Sequence, residues 1–291
     1  MPNVTGTTAD VFIDEYWNPE LNHAVEFEMV IAALFADWTS KMGSSGDLFH
    51  LPTDHNLTTN TKSPGTDATP EAITEVQTNF TVSTHQIVAQ TIEDFAEVMS
   101  KYNIRAGFTR KASYSLARAL DVACAALLDD NTLQTVGVLT AELTDDNFIR
   151  AWQYLMDAGS AVPPFKGVVS PACWGGLLKI DKFTNALYNG DSGGRALHDA
   201  QIGKVYDATV YKSNLTVGTA PNSSGHLWAG EHFFKIMKKR PTMDTWKSPL
   251  AKAWVLATDQ IYGVFEVLEA DEAAAATTTA RLHGVRLQTL K

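Results

Sequence analysis

Between residues 103 and 129 an apolar residue stands at every fourth position: Ile104, Phe108, Ala112, Leu116, Leu120, Cys124 and Leu128. This spacing keeps one side of an α-helix apolar. At 1.5 Å per residue, about 26 residues make a rod of roughly 39 Å, against ~12 residues for an ordinary helix. Arg105, Arg110, Lys111 and Arg118 lie on its other sides. A rod this long asks for more support than one compact core supplies, and two other segments make the same demand.

The first is residues 39–75. Ser, Thr, Gly, Pro, Asn and Asp dominate 39–46 and 53–71, with one short strand candidate, 48–52, between them. A loop so long and polar is usually functional or held by a partner. Residues 72–88 then alternate, with Val76, Asn79, Phe80, Val82 and Ile87 among Thr, Ser and Gln, which predicts a returning strand. Together they form a protruding two-stranded ribbon, marginal without a surface to rest on. The second is the extended, Thr-rich stretch 1–19, which carries Val11, Phe12, Ile13, Tyr16 and Trp17. An arm this apolar is expected to lie against its own domain or another subunit. Residues 20–37 read as a helix, and 92–102 as a helical lead into the rod.

From Val136 the texture is compact α/β. A helix is expected over 145–158, with Thr144 as its cap and Asp145 and Asp146 in the first turn, where acids suit the helix dipole. A buried strand follows at 167–170, then a helix opened by Pro171, strands around 203–215, a loop at 222–225 and a short helix at 231–238. Residues 242–268 read as β-rich, and the Ala/Thr-rich stretch 270–279 is left without an assignment.

At 291 residues and 45% hydrophobic content the chain can build one large or two modest domains. A net charge of −10 argues against a wholesale nucleic-acid binder. No apolar run approaches the roughly 18 residues of a membrane span, and the polar, acidic first twenty residues predict no export signal. Cys124 and Cys173 read as two buried thiols, too few for a disulfide framework. The charge is uneven. Residues 1–100 hold fifteen acids against Lys41 and Lys62, whereas 101–291 carry 21 basic and 18 acidic groups.

A search for catalytic motifs returns little. Gly190-Asp191-Ser192-Gly193-Gly194 matches the nucleophile loop of trypsin-like proteases, but His23, His50, His55 and His85 lack the setting of a partner base, and the five residues also make a flexible loop. His50 and His55 are five apart and His226 and His232 six apart, so neither pair shares a helix face as a zinc site requires. No phosphate-binding loop or dinucleotide fingerprint is present. The basic cluster Lys235, Lys238, Lys239, Arg240 is open to three readings: a solvated helix end, a subunit contact, or a local contact to nucleic-acid phosphate.

Several segments in order carry a resemblance. An early arm and helix (12–35) precede Gly46, Asp47 and Pro52. A Thr-rich returning strand (76–85) runs into Ile92-Glu93-Asp94-Phe95, and the long helix contains Ala119-Leu120-Asp121. Then come Leu139-Thr140 with Asp145-Asp146-Asn147, Val168-Val169-Ser170-Pro171, Leu177-Leu178 with Ile180-Asp181, the stretch 202–214 (IGKVYDATVYKSN) and Tyr262-Gly263. Over about residues 10–270 this order resembles the major capsid proteins of tailed bacteriophages with the Hong Kong 97-type fold.

The resemblance implies an α+β fold of four parts. They are an N-terminal arm with a short helix (1–37), an extended β-ribbon loop (38–85), a peripheral domain of spine helix and β-sheet (86–135 and 236–291), and a compact α/β axial domain (136–235). It implies no enzyme, cofactor or metal, and homopentamers and homohexamers closing an icosahedral shell around DNA. Further implied partners are a separate scaffolding protein (the arm begins almost at Met1), a portal, decoration proteins and packaged DNA held by non-specific contact, with no membrane. The place is the virion, after assembly in the host bacterial cytoplasm. The family's Lys–Asn crosslink does not carry over, because nothing aligns Lys41 or Lys62 with it. The charge asymmetry places the acidic arm and loop over basic groups of adjacent subunits. The contact candidates are Phe12, Ile13 and Trp17 on the arm and Arg105, Arg110, Lys111, Arg118, Lys238, Lys239 and Arg240 opposite. The alternatives are an encapsulin-type nanocompartment shell and, from another class, a soluble serine hydrolase using Ser192. Ser192→Ala is expected to leave assembly unchanged, and a hydrolytic activity lost with that substitution would support the hydrolase.

Overall fold

A computed structural model describes residues 29–43, 46–53, 59–67, 70, 76–100, 102–130, 134–157, 163–184, 204–206, 208–215, 223–267 and 283–289. Its axis is the helix α3 (Ile104–Asp130), 27 residues long, as the four-residue spacing requires. Two sheets share it.

The first half of α3 lies on a four-stranded sheet of order β1-β10-β11-β4. β10 (Phe233–Ser248) and β11 (Ala253–Glu266) form a long antiparallel hairpin. β4 (Thr84–Glu93) pairs with the outer edge of β11, and β1 (Ala36–Asp37) runs parallel to the start of β10. Alternation along β11 divides the two faces. Its even-numbered residues Trp254 and Leu256 meet Ile104, Phe108 and Ala112 of α3, and Gln260 Nε2 donates to the Leu116 carbonyl. Its odd-numbered residues Ile261 and Phe265 pack on the opposite face with Phe234 and Ile236. There they hold the root of a ribbon, β2 (Leu48–Thr53) and β3 (Val76–Thr81), through Phe49, Leu51, Phe80 and Val82. A side chain at Gly263 would put its Cβ 2.4 Å from the Phe265 ring, so any larger residue there must displace that ring.

The second half of α3 backs a six-stranded sheet of order β5-β12-β9-β6-β8-β7. Its strands are β5 (Gln134–Gly137), β6 (Phe165–Val169), β7 (Lys204–Val205), β8 (Ala208–Lys212), β9 (Ser223–Ala229) and β12 (Gly284–Thr289). α4 (Asp145–Asp157) and α5 (Pro171–Leu178) cover one face through Phe148, Leu155, Cys173 and Leu177. Ser170 caps α5 by accepting from the Cys173 amide, with Pro171 at the first helical position. On the other face, Val168 and Trp228 meet Leu120, Cys124 and Leu128 of α3, Phe233 of β10, Tyr262 of β11, Ile31 of the short helix α1 (Ile31–Leu34) and Phe35 just after it. This cluster is the junction of the two sheets.

The structure corrects several expectations. No helix occupies 231–238: β10 begins at Phe233, because Phe233 faces the junction while Phe234 and Ile236 face the ribbon. Burial on both faces looks like helical spacing when read from sequence alone. Of the loop expected at 222–225, residues 223–225 belong to strand β9. Within 20–37 the described helix ends at Leu34, since Phe35 is extended and Ala36–Asp37 joins β10. The expected strand 72–88 is divided into β3 and β4, and the helix at 92–102 shortens to α2 (Asp94–Met99). β12 lies between β5 and β9 in the six-stranded sheet, so residues 284–289 do not belong with the four-stranded one.

Phe234 is fully buried, stacks on Trp38 at 4.0 Å and meets Phe80 edge-on at 5.2 Å. Phe234→Ala is therefore expected to cost about 3–5 kcal/mol in urea unfolding. Phe95→Ala, at an exposed position of α2, should stay within about 0.5 kcal/mol.

Candidate assembly interface

Among the described residues, the ribbon root covers the near half of its face of the four-stranded sheet. Along the far half, Val255 and Ala257 of β11 align with Thr91 and Ala89 of β4 and with Trp246 and Asp244 of β10. Ile87 is 62% exposed and Trp246 51%. Beyond them, Leu250 at the hairpin turn is 99% exposed and Val98 of α2 83%, with Phe95 and Met99 beside it in the sequence also open. Large apolar side chains gathered this way mark an interaction surface.

The two edges of the sheet differ. β10 is guarded by Pro241, by irregular register between Met237 and Thr242, and by Lys238, Lys239 and Arg240. β4 presents ten residues (THQIVAQTIE) with no Lys or Pro, two of the devices by which proteins keep edges from pairing with other chains.

Many of the basic candidates already have partners within the chain. Arg105 pairs with Glu97 at 2.5 Å and lies over the Trp254 ring at 4.4 Å. Lys239 donates to both oxygens of Asp259, at 2.6 and 2.7 Å, and Lys238 to the Gly43 carbonyl at 2.6 Å. Lys239, and after it His85 at 3.0 Å, hold the Asp259 carboxyl below its usual range. Arg240 is exposed on β10, whereas Arg110, Lys111 and Arg118 are exposed on α3. The cluster 235–240 thus sits on a strand, not a helix end, and the candidates do not form one patch. Phe12, Ile13, Trp17 and Ser192 lie outside the described residues.

Sequence reading missed a clamp on α1. Asp121, fully buried on α3, accepts from the Ala32 amide, and the amides of Val30 and Ile31 also face its carboxyl and favour its charged form. At the other end of α1, Lys235 donates to the Ala32 carbonyl and Lys166 to the Leu34 carbonyl. Charged groups from α3, β10 and β6 therefore satisfy both ends of a helix too short to satisfy itself. Burial raises the Asp121 carboxyl above its ordinary value against the pull of the three amides and Lys235, and burial lowers Lys166. The available signal was an acid on an otherwise apolar stretch of the rod. At the far end of α3, Arg286 of β12 bonds both the Asp129 carbonyl and its carboxylate. His226 beside it is pushed down to about 3 by burial, so it is neutral at ordinary pH. Burial pushes the Cys124 thiol up to about 12.

Among the described residues no three His, Cys, Asp or Glu side chains are placed to hold a metal, and no helix is long and apolar enough to cross a membrane. No protein-family model matches the sequence, and no characterised protein shows significant sequence similarity to it. Solved structures do match. A chain of Mycobacterium phage Che8 superposes with a TM-score of 0.79 at 19% identity, over 95% of this chain and 97% of that one. The capsid of cyanophage P-SCSP1u gives 0.72 at 17%, over 100% and 97%. The mature capsid of bacteriophage PhiM1 gives 0.71 at 14%, over 99% and 96%. The chain has the fold of phage capsid chains along its whole length.

The raised Asp121 carboxyl fixes the sign of a pH effect. Between its ordinary value of 3.8 and the higher native value, the folded chain binds the proton more tightly than the unfolded one. Stability from this group is full below that window and is lost as pH rises through it. In urea titrations across pH, wild-type stability minus that of Asp121→Asn should fall over the window and level off above it. A difference independent of pH would contradict the assignment.

Proposed function

We propose that this chain is the major capsid protein of a tailed bacteriophage, with Hong Kong 97-type architecture, forming pentamers and hexamers of an icosahedral shell around DNA. The observation that carries the reading is the half-covered face of the four-stranded sheet. The chain's own ribbon root fills the near half. The far half, with Ile87 and Trp246, fits the ribbon of a neighbouring copy. Closed rotational symmetry meets such needs with one kind of chain. The fold shared with phage capsid chains supports the same reading.

In this scheme the six-stranded unit is the axial domain around the five- and six-fold centres, and α3 with the four-stranded sheet is the peripheral domain. The ribbon is the extended loop. The role is structural and needs no cofactor or metal. Scaffolding protein, portal, decoration proteins and packaged DNA are the partners this role entails, the virion is its location, and the host cytoplasm its place of assembly.

Removing residues 53–71 tests the reading. The six-stranded sheet lies elsewhere and should fold as before, with unchanged far-UV dichroism. Closed shells should be lost in electron micrographs, because the ribbon's area would be spent between subunits. Normal, equally heat-resistant particles from the deletion variant would contradict it.

A further inference from the structure

The geometry points to a docking strip on α3 for the acidic segment upstream of Met29 in the same chain. Lys111, Tyr114, Arg118, Asp121 and Ala125 follow one another at intervals of three and four residues, so they form one ridge of the helix. The ridge is used in two ways. Its C-terminal part, Asp121 and Ala125, is buried under α1. Its N-terminal part carries Lys111 and Arg118, both exposed. No acid occurs on α3 before Asp121.

The clamp decides where the preceding chain starts. Asp121 accepts from the Ala32 amide and faces those of Val30 and Ile31, so the N-terminal end of α1 sits at the buried ridge position next to the basic part. Arg118 is one helical turn away. Residues 1–28 contain six acids (Asp10, Asp14, Glu15, Glu20, Glu26 and Glu28) and no Lys or Arg. Glu28 stands two residues before the clamped Val30. A tethered acidic segment beside a basic strip has a high effective concentration there, which another copy or a free polyanion must exceed. Glu26 and Glu28 are the groups within closest reach of Arg118, with Lys111 two turns further on. The occupant of the strip in this proposal is thus the chain's own segment, tethered at the clamp.

This proposal does not depend on shell formation, and its test uses dissociated, nuclease-treated full-length subunits. Chymotrypsin sites lie within the segment at Phe12, Tyr16, Trp17 and Phe27. Cleavage there is compared for wild type, Lys111→Glu/Arg118→Glu, Glu26→Lys/Glu28→Lys, and the four substitutions combined. Each charge reversal alone should raise the cleavage rate about fivefold, the size expected of two exposed pairs on a tethered segment. The combined variant should return near the wild-type rate. The Glu26/Glu28 variant leaves α3 untouched, so folding of the helix does not confound it, and equal urea midpoints check both. Wild-type protection should be independent of subunit concentration and should fall at 1 M salt, where screening acts over about 3 Å. Unchanged cleavage in the reversed variants, or no recovery in the combined one, overturns the proposal. So does protection that arises only on assembly, which assigns the strip to another copy. Protection that needs added duplex DNA assigns the strip to nucleic acid and overturns the proposal equally.

Discussion

Everything in this molecule hangs on the packing of one helix against two sheets. The apolar side of α3 serves the four-stranded sheet through Phe108 and Ala112, then turns its burial toward the six-stranded sheet through Leu120, Cys124 and Leu128. Where these halves meet, Trp228, Phe233, Tyr262 and Ile31 close a core to which both sheets contribute. Side chains packed this densely transmit displacement, so the two sheets cannot shift relative to one another without disturbing the helix or the segment that enters beside it. Asp121, Lys235 and Lys166 join that segment to the helix and to each sheet by charge-assisted hydrogen bonds.

An elongated frame of this kind has consequences for its surface. A sheet laid along a rod has one face against the helix and the other left over. Among the described residues, that second face is covered only as far as Phe80 and Phe49 reach. Ile87, Trp246 and Leu250 stay open, and the adjoining edge of β4 lacks the usual guards. Such features are liabilities in a chain meant to stay alone and assets in one meant to meet its copies.

How much of this was legible follows from the range of the interactions. The rod is predicted within a residue at each end because its spacing is local and long (103–129 against Ile104–Asp130). The ribbon strands, α4 and α5 were legible for the same reason, through alternation, an acidic first turn and Pro171. Phe233 to Lys238 misled because a strand buried on both faces lacks strand periodicity. The place of β12 beside β5 is set by pairing across about 150 residues, such as Val285 with Gln134, which no local pattern encodes. The clamp on α1 is long-range too, yet Asp121 on the apolar side of the rod was a visible anomaly. The basic groups read from sequence as one set are divided in the fold between α3 and strand β10, with Arg105 and Lys239 in ion pairs within the chain.

The central claim is that the surfaces one chain leaves uncovered are covered by other copies of it. Sedimentation velocity of the purified chain over a range of concentrations tests this most directly. The account predicts species of five and six copies and larger closed particles growing with concentration. A single monomeric boundary at every concentration would contradict it.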